Sequence, residues 1–193
     1  MIKVVLLAAG KSTRTTSLKQ LYKIDGEFLI NIQIQKLLHY GFKVVVVLGH
    51  RYDEISDILN KEVEIIYNKE YEQGMFSSVQ AVFKQTQAKQ FLFCHTDRPI
   101  ANKEVFLSLL QTTKEVSVAF CCKKKAPPIM MRMSVKEKIL DTKHIQLNHW
   151  ISDFKDIEYI KVNDERIHFN ANSDEELKRY FNSYYFKKRI LEI

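Results

Sequence analysis

An uninterrupted apolar run near the start of the chain, Val4-Val5-Leu6-Leu7, breaks directly into Ala8-Ala9-Gly10-Lys11-Ser12-Thr13-Arg14 and then Lys19-Gln20-Leu21. A short apolar run bounded in this way reads as a strand buried on both faces. Small residues and a glycine at its end leave backbone N–H groups bare and let a ligand come close to the main chain. Arg14 and Lys19 bring two cations within reach of the same loop. Together these features describe a cradle for a polyphosphate, so the chain reads as one that handles nucleotides.

Strand-like and helix-like stretches then alternate. Ile2–Leu7, Lys43–Leu48, Val63–Ile66, Gln90–Cys94 and Glu115–Cys121 are predicted strands. Phe28–Tyr40, Tyr52–Leu59, Ser77–Gln85 and Asn102–Leu110 are predicted helices, the first stopped by Gly41 and the last capped by Asn102. Near-continuous apolar strands separated by helices predict a parallel sheet covered on both faces. Right-handed crossovers line up the strand C-termini, so ligand-binding loops are expected after Leu7, Leu48 and Cys94. Beyond Cys121 the pattern weakens. Short helices over Ser134–Leu140 and Ile145–Trp150, a strand near Glu158–Val162 and a helix from Asp174 to about Lys187 complete the prediction.

With 193 residues the chain fits a single domain whose core needs no disulfides. Cys94, Cys121 and Cys122 are odd in number and lack metal-like spacing, which fits reduced thiols and a cytoplasmic setting. No apolar run approaches the roughly 20 residues that span a bilayer, and the opening run reads as a strand, so no membrane partner is expected. The net charge of +7, from 30 Lys+Arg against 23 Asp+Glu, gathers around Lys123-Lys124-Lys125 and Lys187-Lys188-Arg189. Such a balance favours anionic partners, nucleotides included. No nucleic-acid motif accompanies it, so nucleic acid is not the expected partner.

Two common phosphate loops fail on counting. Gly10-Lys11-Ser12 matches the end of G-x-x-x-x-G-K-[ST], but the first glycine would fall at Val5, and no G-x-G-x-x-G occurs. Leu7 to Leu21 instead follows L-x-A-G-x-S-x-R-M-G-x-x-K-x-L, with Thr15-Thr16 in place of Met-Gly. In this the chain resembles the MobA-like NTP transferases, which include the molybdenum cofactor guanylyl- and cytidylyltransferases. Asn68-Lys69-Glu70-Tyr71-Glu72-Gln73-Gly74-Met75-Phe76-Ser77-Ser78 is similar to that family's N-x-x-[WY]-x-x-G-M-x-x-S, and Asp97-Arg98-Pro99 to its D-x-P. Asn170-Ala171-Asn172-Ser173-Asp174-Glu175-Glu176-Leu177 resembles [DN]-x-[DN]-T-P-E-[DE]-L, with Ser173 and Glu176 spaced as a capping box. Between Asp97 and Asn170 the family's G-D-x-G-A-R is missing.

The resemblance implies a three-layer α/β/α, Rossmann-like, mostly parallel sheet of the nucleotide-diphospho-sugar transferase type. It implies one domain over residues 1–193, with a nucleotide half at 1–110 and an acceptor half with a C-terminal helix at 111–193. It also implies a Mg2+-dependent nucleotidyltransferase that moves NMP from an NTP, CTP ahead of GTP, to a phosphorylated acceptor, with release of pyrophosphate. Molybdopterin is the leading acceptor, and sugar phosphates or phosphorylated alcohols are alternatives. A silent nucleotide-binding protein and a basic nucleic-acid-binding α/β module are the competing classes.

Carried over residue by residue, Leu7, Ala8, Ala9, Gly10, Lys11, Ser12, Gly74, Ser77 and Ser78 would bind the nucleotide. Arg14 and Lys19 would neutralise its phosphates, and Asp97 with Asn170 and Asn172 would hold Mg2+, which prefers oxygen ligands. Arg14, Lys19 and Asp97 form the expected catalytic set. Other roles stay open: Ser77 and Ser78 suit a helix N-cap, and Asp97 and Asn172 suit turns. His95 and His168 lack a paired nucleophile and read as structural or substrate-contact residues.

Overall fold

The computed structural model describes residues 1–12, 18–59 and 62–179. Strand β1 (Ile2–Leu7) leads to a short ribbon of β2 (Lys23–Ile24) and β3 (Glu27–Phe28), then helix α1 (Leu29–His39). Next come β4 (Lys43–Leu48), α2 (Tyr52–Ile58), β5 (Glu64–Tyr67), α3 (Met75–Gln85), β6 (Gln90–His95) and α4 (Lys103–Leu110). The remainder holds β7 (Val116–Cys121), β8 (Lys124–Arg132), α5 (Lys136–Leu140), α6 (Leu147–Asp153), β9 (Ile157–Lys161) and α7 (Asp174–Leu177).

Seven strands form one sheet in the order β5-β4-β1-β6-β8-β7-β9. All neighbours run parallel except β8, which is antiparallel to both β6 and β7. Alternation along the strands sorts the core into two layers. Val4, Leu6, Val44, Val46 and Leu92 face α1, α2 and α4, while Val5, Val45, Val47, Phe91 and Phe93 face α3, α5 and α6. Phe83, Phe91 and Phe93 are fully buried and stack edge-on or tilted at 5.2–6.2 Å. Each contributes roughly 1.5–3 kcal/mol of burial. The sheet beneath the loops is therefore stiff, and the three-layer single-domain expectation holds.

Three details differ from the sequence pattern. Lys124–Arg132 is a nine-residue strand that the pattern does not predict, because its first residues are charged and Pro127-Pro128 follow. The β7–β8 register shifts after Val118, at the level of those prolines. Asn102 occupies the N-cap of α4 but makes no side-chain cap; its N–H donates to Asp164 Oδ2 at 3.1 Å. The capping box of α7 forms as its spacing predicts, with Glu176 N donating to Ser173 Oγ. The rest of that predicted helix runs past residue 179, outside the described residues.

Candidate active site

The C-termini of β4, β1 and β6 lie side by side, with Leu7 paired to both Val47 and His95. Ala8 N donates to Val47 O at 2.9 Å and His50 N to Ala9 O at 3.1 Å, so the loop after β1 leaves the sheet along a fixed path. Gly49 permits this approach: a Cβ there would stand 2.5 Å from Tyr71 Cβ and 2.9 Å from Ala9 O. Below the loop lies Gln20, only 2% exposed. Its Nε2 donates to Ala8 O at 2.6 Å, and Lys19 N donates to Ser12 Oγ at 3.2 Å.

These loops enclose a cleft of about 260 Å³. Leu7, Ala9, Gly10, Ser12, Lys19, Gly74, Ser78 and Asp97 from the sequence-derived set all line it. Three others, Ala8, Lys11 and Ser77, stand elsewhere. Ala8 is buried in the core, and its carbonyl is held by Gln20. Lys11 is exposed, with its ammonium 2.5 Å from Glu72 and 5.8 Å from the Tyr71 ring centre. That pairing holds Glu72 below the usual carboxylate range. Ser77 sits inside α3 and donates to Gly74 O and Glu70 O while accepting from Asn68 Nδ2, so it braces the turn that presents Gly74. Arg14 lies outside the described residues.

A second cavity of about 670 Å³ adjoins the first and shares Gly74, Met75, His95 and Asp97 with it. Asn170 lines this second space, and Asn172 follows two residues on, its Nδ2 donating to Asn170 O at 3.4 Å. Asp97 stands at the junction. Lys19 Nζ lies 4.0 Å from its Oδ2, while His95 Nδ1 and Arg98 Nε lie 4.0 and 3.9 Å from its Oδ1. Burial drives the His95 pKa down to about 4 against the pull of Asp97, so its ring is neutral near pH 7. Burial also lowers Arg98, which stays a cation because its ordinary value is so high.

Buried polar atoms without a hydrogen bond cost about 1–3 kcal/mol each and are rare. Here they gather: Asp97 Oδ1, Asn170 Oδ1, Asn172 Oδ1, His95 Nε2 and Arg98 Nε all lack one. The three oxygens are the hard donors that Mg2+ or Mn2+ prefers. Among the described residues no trio of His, Cys, Asp or Glu is placed for a metal, so an ion here would complete its shell with amide oxygen, water and substrate phosphate. The carboxylate and amides fit such an ion.

Arg98 and Gln33 brace the site in ways that sequence reasoning missed. Arg98 Nη1 donates to Ile167 O at 2.9 Å and Phe169 O at 3.1 Å, while Ala171 N donates to Asp97 O at 2.9 Å. These bonds hold the returning loop, and Asn170 with it, against the tip of β6. Gln33 Nε2 donates to Arg98 O at 2.7 Å and so steadies the same turn from α1. A signal for Gln33 exists: it is the polar member of a helical face otherwise made of Ile30, Ile34 and Leu37.

Residues 4–153 match the family described as MobA-like NTP transferase domain. Over 107 residues the chain is 25% identical to the molybdenum cofactor cytidylyltransferase of Escherichia coli, covering 54% of this chain and 56% of that protein. The chain thus spans about half the length of that curated relative. A nucleotidyl transferase from Methanothermobacter superposes with a TM-score of 0.83 at 16% identity, over 97% of this chain and 99% of that one. The Mycobacterium tuberculosis protein Rv0371C, solved as a complex with manganese, superposes at 0.73 and 14% identity, over 94% and 98%.

Proposed function

The chain belongs to the MobA-like NTP transferase domain family, and on that premise we propose that it moves NMP from an NTP, CTP foremost, to a phosphorylated acceptor with Mg2+. Nucleotidyl transfer goes with the family; the base, the ion and the acceptor are the added steps. Molybdopterin leads the acceptors, on the identity shared with the E. coli cytidylyltransferase, and GTP is the alternative donor. A manganese complex of a protein with this fold supports a divalent ion.

In the reaction an acceptor phosphate oxygen bonds to the α-phosphorus as the bond to the β-phosphate oxygen breaks, and pyrophosphate leaves. The acceptor phosphate is already anionic near neutrality, so no strong protein base is required. The chain's task is positioning and neutralisation of charge. The loop around Gly10 would hold the triphosphate, with Lys19 beside it and Arg14 as a second cation. Asp97, Asn170 and Asn172 would hold Mg2+, which when bound supplies charge neutralisation on the phosphate oxygens. The neutral His95 ring, on the shared wall, would orient the acceptor as it crosses from the larger cavity.

The observation that carries this reading is Asp97, whose carboxylate lines both cavities, faces Lys19 and leaves one oxygen without a hydrogen bond. The test is pyrophosphate release with each of the four NTPs, Mg2+ and a panel of acceptors: molybdopterin, sugar phosphates and phosphorylated alcohols. CTP with one acceptor should give turnover. Nucleotide binding with no release from any pair would make this a silent nucleotide-binding protein.

A further inference from the structure

The larger cavity carries a charge pattern of its own. Arg98, Lys124 and Lys125 line it, and Asp97 on the shared rim is the one carboxylate among its lining residues. Three cations thus face one anion, which a bound divalent ion would offset. His168 adds a directed group: its Nε2 lies 2.8 Å from Cys121 O, and a carbonyl only accepts, so that nitrogen carries the proton.

Lys124 and Lys125 open β8 directly after the tight turn Cys122-Lys123, where both φ angles are positive. They are exposed, and Lys125 Nζ donates to Ser152 Oγ of α6 at 3.1 Å. Among the described residues neither forms an ion pair. Some lysines elsewhere do: Lys3 with Glu64, Lys11 with Glu72, Lys114 with Asp156 and Lys138 with Glu115. Phe76, Ile129 and Ile151, all buried, give the cavity an apolar part of its floor.

An acceptor must bring its attacking phosphate to the shared rim, beside Asp97, His95 and Arg98, because the nucleotide cleft begins there. Its body then extends over the apolar floor towards the hairpin. We propose that this cavity selects an acceptor bearing a second anionic group apart from the attacking phosphate, be it a carboxylate, a phosphate or the ene-dithiolate of molybdopterin, and that Lys124 and Lys125 read it. An ammonium in that position would meet two unneutralised lysines. The proposal rests on the nucleotidyl-transfer reading of the adjoining cleft and deepens it by excluding zwitterionic phosphate esters.

Three esters of similar size provide the test. 3-Phosphoglycerate, glycerol 3-phosphate and phosphocholine carry a negative, a neutral and a positive remote group. Their affinities are measured by calorimetry with Mg2+ and a non-reacting α,β-methylene analogue of CTP or GTP. 3-Phosphoglycerate should bind on the order of tenfold more tightly than phosphocholine, with glycerol 3-phosphate between them. The gap should narrow in about 0.5 M salt, where screening is strong. It should close in the Lys124→Ala, Lys125→Ala double variant, whose affinity for the nucleotide analogue stays at the wild-type value. Phosphocholine bound as tightly as 3-phosphoglycerate, or a preference that survives in the variant, overturns this proposal alone. Failure of both nucleotide analogues to bind overturns the nucleotidyl-transfer reading, and this proposal with it.

Discussion

The smaller cleft and the larger cavity share a wall, yet they are built from different parts of the chain. The cleft is made from the ends of the adjacent parallel strands β1 and β6, the loops that leave them, and the start of α3 with the turn before it. The cavity takes one side from the β7–β8 hairpin, another from α6 and a third from the loop that returns through His168 and Asn170. Strand register fixes the first site, because a loop leaving a buried strand end has few directions open to it. Side-chain bonds between distant segments fix the second, Arg98 to Ile167 above all. One site is held by the sheet and the other by straps, and the two should fail in different ways.

Asp97 belongs to both, so its loss should have the largest effect. Asp97→Ala is expected to lower Mg2+-dependent pyrophosphate release a hundred- to a thousandfold, the scale of losing one focal charge-stabilising group. Circular dichroism and thermal melting should stay at wild type, since the side chain makes no hydrogen bond through Oδ1. Chelating the divalent ion should bring the wild-type rate down to the variant's. A variant with most of its rate would separate the two sites and remove the ion from the junction.

Arg98→Met tests the strap. It deletes two hydrogen bonds from a charged donor, to Ile167 O and Phe169 O, and frees the loop that carries Asn170. Mn2+ affinity, read by electron paramagnetic resonance, should weaken about tenfold, while metal-free nucleotide binding at the Gly10 loop changes far less. Equal loss of both would mean that the returning loop also shapes the nucleotide cleft.

How much of each site was legible in the sequence follows the same division. The Ala8–Gly10 loop, Lys19, Gly74 and Asp97 could be read because each sits at a fixed offset from an apolar run or helix start. Lys11 and Ser77 stand in the same motifs yet turn elsewhere, Lys11 to Glu72 and Ser77 to Asn68 and Gly74. Motif spacing places a residue's backbone; its side chain also answers to neighbours that the motif does not contain. The strand Lys124–Arg132 was hidden because its outer end is charged and its middle holds two prolines. Only pairing with Phe93 on one side and Val118 on the other makes it a strand. Arg98 was hidden for a related reason: its partners lie about seventy residues away in the sequence.

Asp164 sharpens the comparison by acid titration. It is buried, caps the turn that leads to His168, and accepts from Asn102 N and from the Arg166 guanidinium. Burial alone would raise its carboxyl, but the bonds to Arg166 and Asn102 outweigh that and hold it below its ordinary value. A depressed folded value means that its stabilisation is complete above the unfolded pKa near 3.9 and fades as the pH falls through the folded one. Asp164→Asn should therefore cost about 1–3 kcal/mol at pH 7 in urea unfolding. The difference between the proteins should vanish only below roughly pH 4.

Lys11 should matter least, although it stands in the same loop as Gly10. Its ammonium pairs with Glu72 on the surface, and exposed pairs contribute little because water and salt screen them. Lys11→Ala should change the KM for CTP less than twofold, whereas Lys19→Ala, which removes a nearly buried cation facing Asp97, should raise it at least tenfold. The pair of variants separates two cations that flank the same loop, eight residues apart in the sequence. Should Lys11→Ala weaken CTP as much as Lys19→Ala does, Lys11 must leave Glu72 for the nucleotide. The cleft would then be completed by a side-chain movement, as the larger cavity is completed by straps, and the contrast between a sheet-held and a strap-held site would no longer stand.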